Sequence, residues 1–418
     1  MPNQSRPRFV LTAFCLGMIV VHAALFWVVR AQLVTGSSDF RIFYTAGLML
    51  RHGEGKVLYS EHLQDETEEQ FAPAAVARGG PLPYNHPPFE AVLYAPLTYL
   101  PYFPAYCVWF AVNIALLAGS VCLIRRSLPV LVSHFRGLLI LAPLAFFPII
   151  YALLQGQDSI LLMALYCLSF LALRRNKELQ AGLLLALGLF KFHLVLPFAF
   201  VLLLHRRWRV LTGMFMTVVL EAVVSWTIIG KRQLLYYPQF VWHVNRQQAI
   251  GVIVPANMPN LRGLFTGWST MHPPPRWVET LLLLVSVGLL VWAARVWRAT
   301  GSTGTDRWNS GFSLALVATF LVGYHSYNQD MSFLLLPILL TLDRMLENWD
   351  ETSVGLKITA GLMFLTPLYL FLTLQISHQN LFSILLLCFA GYLAASAATE
   401  RPPASADRNR GPLIAPLG

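Results

Sequence analysis

Asp39 is the residue of this chain best placed to do chemistry. It stands in Ser38-Asp39-Phe40-Arg41-Ile42-Phe43-Tyr44, just past a first apolar segment, Phe9 to Val29. A carboxylate delivered to a membrane surface can take a proton from a hydroxyl, as a general base does. It can also cap a helix that opens at Phe40, and the residues leave both readings open. Tyr44 reaches the same surface and is a candidate substrate contact. Further polar groups recur in short clusters between apolar runs. In Tyr84-Asn85-His86-Pro87-Pro88-Phe89, His86 and Asn85 can meet hydroxyls or a phosphate, and the prolines suit the first turn of a helix. In Gln155-Gly156-Gln157-Asp158-Ser159, Gln157 can bind hydroxyls and Asp158 can cap the helix that follows.

Lys191 and His193 lie inside an apolar run, where an ionisable group is costly and usually functional. Lys191 can hold a lipid-borne phosphate or pair with Glu221, the other charge buried in an apolar stretch. Arg262 stands alone in a loop rich in Pro and Asn, and arginine is a natural bidentate partner of phosphate. His325 belongs to Tyr324-His325-Ser326-Tyr327-Asn328-Gln329-Asp330, a denser polar cluster than a short connection needs. No Asp-x-Asp and no His/Asp/Glu set of ligand spacing is evident, so neither a metal nor a cofactor is expected. Five cysteines, all in apolar segments and without a CxxC, argue against a disulfide framework or a zinc site.

The elements that carry these residues are membrane spans. Of 418 residues, 56% are hydrophobic and 12% charged, with a mean hydropathy of +0.58. A soluble domain has about a quarter of its residues charged. The net charge of +10 falls in short basic clusters between apolar runs. That is a topology signal rather than a nucleic-acid surface. The expected fold is an all-α polytopic membrane protein with about twelve crossings, one membrane domain over 1–399 and a disordered cytoplasmic tail over 400–418. Arg6 and Arg8, Arg125-Arg126, Arg174-Arg175, Arg206-Arg207, Arg295 to Arg307 and the tail thread to one side, expected to be the cytoplasm. Two long loops, about 30–88 and 231–276, face outward with nearly all of the polar clusters. Gln180 to Leu204 is read as two short helices meeting around Phe190 to His193, because both of its flanks are basic. Broken backbone at that depth needs a surrounding cavity.

Asp39-Phe40-x-x-Phe43-Tyr44-x-Ala46-Gly47, Leu58-Tyr59, Tyr84-x-x-Pro87-Pro88, Pro96-Leu97 and Leu100-Pro101 resemble the opening of glycosyltransferase family 87. Gly156-Gln157 and Ala181-Gly182 with Lys191 resemble its middle. The resemblance implies the multi-spanning C-type glycosyltransferase (GT-C) fold. It implies a polyprenyl-phosphate sugar donor, mannose in the known α-1,2-mannosyltransferases, and no metal. It makes Asp39 the catalytic base and brings a histidine of the late loop, here His325, into the site. Lys191, Arg262, His325, Tyr44, His86 and Gln157 are then the donor-phosphate or substrate contacts. The implied partners are a glycan or glycolipid acceptor and membrane lipid, with no nucleic acid. The implied location is a bacterial plasma membrane, with the site on the extracytoplasmic face. A polyprenyl phosphate leaves readily, so one base suffices, and a lone carboxylate suggests inversion. The competing reading is a secondary transporter or flippase, which also places charges on broken helices.

Overall fold

The structure is a computed structural model that describes residues 5–246, 254–267, 275–372 and 380–399. These are helical with no strand. The expected tail, 400–418, lies outside them. Helix α1 (Ser5–Val34) is the first span, and α2 (Phe40–Arg51), α3 (Glu61–Glu69) and α4 (Pro73–Gly79) fill the first long loop. Phe40, Phe43, Tyr44, Ala46 and Met49 recur at helical spacing, and burying them docks α2. Gly47 makes the close approach possible. A Cβ there would meet the Tyr94 carbonyl carbon at 2.8 Å, at the end of α5 (Pro88–Tyr94). Pro88 takes the first turn of α5, as its missing N–H predicts.

Next come α6 (Tyr102–Ile124), α7 (Pro129–His134) and the pair α8 (Leu138–Ala145) and α9 (Phe147–Gln155), bent by 62°. Helix α10 (Ser159–Arg174) leads to α11 (Glu178–Ala186) and α12 (Phe192–Leu204), which meet at 63°. Helix α13 (Trp208–Arg246) breaks at Gly230, whose φ of 73° is outside the helical region. The second expected outward loop therefore begins as helix. The chain closes with α14 (Leu261–Gly267), α15 (Arg276–Arg298), α16 (Asp306–Val322), α17 (Leu335–Glu347), α18 (Val354–Leu362), α19 (Thr366–Leu372) and α20 (Phe382–Ala398).

Four helices are long and apolar enough to cross a membrane, or six spans if each bent pair counts as one. This measure does not reach the expected twelve. Several of the apolar stretches counted form helices of 16, 17, 13 and 17 residues (α10, α16, α17 and α20). A straight crossing takes about 20.

The run from Glu178 to Leu204 does fold back on itself. As one straight helix it would extend about 40 Å, yet Glu178 forms a 2.6 Å ion pair with Arg207, just past its far end. Helix α13 then runs beside α11 in the same direction. A Cβ on Gly213 would meet Leu183 N at 3.0 Å, and Thr217 Oγ1 donates to Leu183 O at 3.2 Å. Such small residues let two helices touch backbone to backbone. The break comes at Leu187-Gly188, slightly before the expected Phe190 to His193, and leaves Lys191 near the tip.

The basic clusters gather at one end of the bundle. Arg174 donates to Gly304 O at 3.2 Å, Arg307 to Ala397 O at 2.9 Å and Arg344 to Ser396 O at 3.2 Å. The His205 ring lies 4.8 Å from Trp297, and Asp343 accepts from Leu131 N at 2.7 Å. Helix α1 starts there as well, with Leu11 and Phe14 lining a small apolar cavity beside Met345 and Trp349. Single cysteines at Lys177 and Arg209 should therefore label from the same side of sealed vesicles. Labelling from opposite sides would contradict the fold-back.

Candidate active site

The turn after α9 positions the site. Gly156 closes α9 with a φ of 63°, and a Cβ there would meet Phe40 Cβ at 2.7 Å. Trp109 Nε1 donates to Gly156 O at 2.9 Å, and the Tyr106 hydroxyl to Leu154 O at 3.0 Å. The turn is thus locked between α2 and α6. It then takes hold of Asp39 at two points. Asp39 N–H donates to Gln155 Oε1 at 3.0 Å, and Gln157 Nε2 donates to Asp39 Oδ2 at 2.7 Å. Asp39 occupies the N-cap position of α2, but its side chain makes no capping bond. The capping reading is therefore set aside, because the carboxylate is engaged by Gln157. Burial raises the Asp39 pKa above its ordinary value, while the Gln157 bond and the charges of Arg41 and Lys191 oppose the rise.

Lys191 is not paired with Glu221. Its ammonium sits 2.8 Å from Asp158 Oδ1 and 2.8 Å from Asp330 Oδ1, and it reaches Gln157 Oε1 at 3.4 Å. All three of its N–H donors are used. Asp330 also accepts from Ser159 Oγ at 3.0 Å and from Tyr327 N at 2.9 Å. Asp158 likewise makes no helix cap, and its Oδ1 turns to Lys191 instead. Three segments far apart in sequence meet on one ammonium.

A cavity of about 580 Å³ opens beside this cluster. Asp39, His86, Gln157, Lys191, His193, His325 and Asp330 line it, together with Tyr151, Trp242, Tyr327, Asn85 and Asn257. The structure therefore brings five of the seven expected site residues together. The other two do not reach it. The Tyr44 ring packs on Phe71 and Tyr102, and its hydroxyl donates to Leu100 O at 2.8 Å. Helical periodicity turns Tyr44 inward, to the core under α2. Arg262 stands behind the cavity wall. It lies over the Tyr324 ring, 3.9 Å from its centroid, and donates to Tyr324 O at 3.0 Å. With Asn260, which donates to Gly323 O at 2.6 Å, it fastens the loop that carries His325.

His325 is pushed down to about 3 by burial and is neutral at pH 7. Its ring lies 5.9 Å from that of His193, and neither His325 Nδ1 nor His193 Nε2 has a partner among the described residues. His86 is pushed down to about 4, also by burial. Its Nδ1 sits 2.8 Å from Glu90 Oε2 and 3.9 Å from Asp158 Oδ2. The ligand atoms of His86, Glu90 and Asp158 all lie within 4.8 Å of one another. This corrects the expectation of no metal-ligand set. The i, i+4 spacing of His86 and Glu90 was the legible signal, and folding supplies Asp158.

A helical bundle with apolar spans is the build of a membrane protein, and its polar cavity is gathered at one end. A model of glycosyltransferase family 87 matches residues 84–323, more than half of the chain. The chain belongs to glycosyltransferase family 87, which sets the transporter reading aside. Gln157, Lys191 and Arg262 lie within the matched residues; Asp39 precedes them and His325 follows by two. No curated protein and no solved structure matches the chain.

Lys191→Met would leave Asp158 and Asp330 buried beside each other without a counter-charge. It should lower stability by about 3–5 kcal/mol, read as a fall in the unfolding temperature of the detergent-purified protein. Adding Asp330→Asn should restore part of the loss. An unchanged unfolding temperature for the single variant would contradict the pairing.

Proposed function

We propose that this glycosyltransferase moves a hexose, mannose foremost, from a polyprenyl phosphate to a hydroxyl of a glycan or glycolipid, with inversion. The carrying observation is the state of Asp39. Two carboxylates line the cavity. Asp330 is tied to Lys191, Ser159 and the Tyr327 N–H, whereas the Asp39 carboxylate takes one side-chain bond among the described residues, from Gln157. An oxygen remains for an acceptor hydroxyl. The cavity volume is within the range of small-ligand sites, about 300–1,000 Å³.

In the transfer step the acceptor O–H gives its proton to Asp39 as its oxygen bonds to the anomeric carbon. The bond from that carbon to the phosphate oxygen breaks, and the phosphate leaves with the electron pair. A β-linked donor gives an α-linked product. The leaving group is a single phosphate, so this step needs no metal bridge of the kind a diphosphate uses. Lys191, the first candidate to hold the phosphate, is already neutralised by two carboxylates. His325 and His193, each with an unpartnered ring nitrogen, fit that role better, and Arg262 acts by holding the Tyr324-His325 backbone. Donors aimed at the departing oxygen stabilise its growing charge. The basic end of the bundle is then cytoplasmic and the cavity opens at the outer face of a bacterial plasma membrane, with residues 1–399 as one membrane-embedded catalytic unit.

Asp39→Asn should cut turnover about 10²–10⁴-fold and leave the unfolding temperature of the purified protein within a few degrees. Retention of more than a tenth of wild-type turnover would overturn the assignment. Gln157→Ala removes a hydrogen bond that favours the ionised carboxylate, so the Asp39 pKa rises. The acid limb of the pH–rate profile should move to higher pH by about one unit; a limb that stays in place would detach Gln157 from the base.

A further inference from the structure

The geometry points to a divalent metal site formed by His86, Glu90 and Asp158, behind the wall of the cavity. Glu90 and Asp158 are fully buried, on α5 and at the start of α10. Neither Glu90 Oε1 nor Asp158 Oδ2 has a hydrogen-bond partner among the described residues, and His86 Nδ1 stands 3.9 Å from Asp158 Oδ2. Buried carboxylate oxygens without donors are expensive. Asp158 and Asp330 face the single ammonium of Lys191, and Glu90 adds a third carboxyl group to the same cluster. A divalent cation would take the place of the proton that Glu90 and Asp158 otherwise share.

The ligands are also set in advance. The His86 ring is fixed by Phe43, edge-on at 5.0 Å, and by Tyr84, stacked at 5.7 Å. Asp158 turns Oδ1 to Lys191 and Oδ2 toward His86. One imidazole with two carboxylates suits Mn²⁺ or Zn²⁺ better than Ca²⁺ or Mg²⁺, which prefer all-oxygen shells. The metal would clamp the segment before α5 to the turn that holds Asp39. Its role is positional, and the inference stands apart from the assignment of Asp39.

The test uses the full chain, purified in detergent, stripped with EDTA and dialysed against Mn²⁺ or Zn²⁺. Elemental analysis should find one equivalent bound, and the unfolding temperature should rise on reloading. Glu90→Gln keeps the volume but weakens the ligand, so the metal retained should fall at least roughly tenfold. His86→Ala should do the same, and His62→Ala, at the exposed pair with Glu66, should change nothing. No bound metal, with an unfolding temperature indifferent to EDTA, would overturn the site and leave Glu90 and Asp158 sharing a proton instead. Metal bound equally by wild type and Glu90→Gln would place it elsewhere and overturn the site too.

Discussion

The buried ammonium of Lys191 is the constraint on which the rest of the site depends. An unpaired charge at this depth would cost several kcal/mol, and the fold meets that cost with Asp158 and Asp330, each 2.8 Å away. Doing so fixes three segments against one another: the turn between α9 and α10, the tip of the α11–α12 fold-back and the stretch that follows His325. The third donor of Lys191 reaches Gln157, and Gln157 in turn holds Asp39. Lys191, which the sequence marks as a candidate phosphate contact, thus also ties the scaffold together, and what it orients is the carboxylate.

The two ends of the bundle divide the work. One end collects the basic clusters, whose arginines bond to backbone carbonyls such as Gly304 O, Ala397 O and Ser396 O. The other collects the polar residues around the cavity. Helices such as α16, almost wholly buried, form the packed middle. Gly182 and Gly213 bring α11 and α13 backbone to backbone, and a side chain at either would force the two helices apart.

Much of this is legible in the sequence, for identifiable reasons. Asp39 and Lys191 stand out because a charge beside or inside an apolar run is expensive, and the fold-back at Lys191 follows from two basic flanks that must share a side. Partners are harder to read. Nothing local says that Lys191 meets Asp158 and Asp330 rather than Glu221, since that choice is made by packing between distant segments. Tyr44 has the chemistry of a sugar contact, but its position on α2 turns it into the core. Arg262 has the chemistry of a phosphate contact, yet its guanidinium lies over the Tyr324 ring and holds the Tyr324 carbonyl, outside the cavity lining. The number of crossings is the least legible feature, because short buried helices have the same hydropathy as spans.

The central claim is direct displacement from a lipid phosphate by a hydroxyl that one base activates. The stereochemistry of the product tests it most directly. The purified protein would be given a β-linked polyprenyl-phosphate mannose labelled at the anomeric carbon, with a glycan acceptor, and the anomeric configuration of the new linkage read by NMR. The account predicts an α-linked product, formed from the lipid-phosphate donor and not from a nucleotide sugar. A β-linked product, or transfer that proceeds only from the nucleotide sugar, would contradict it.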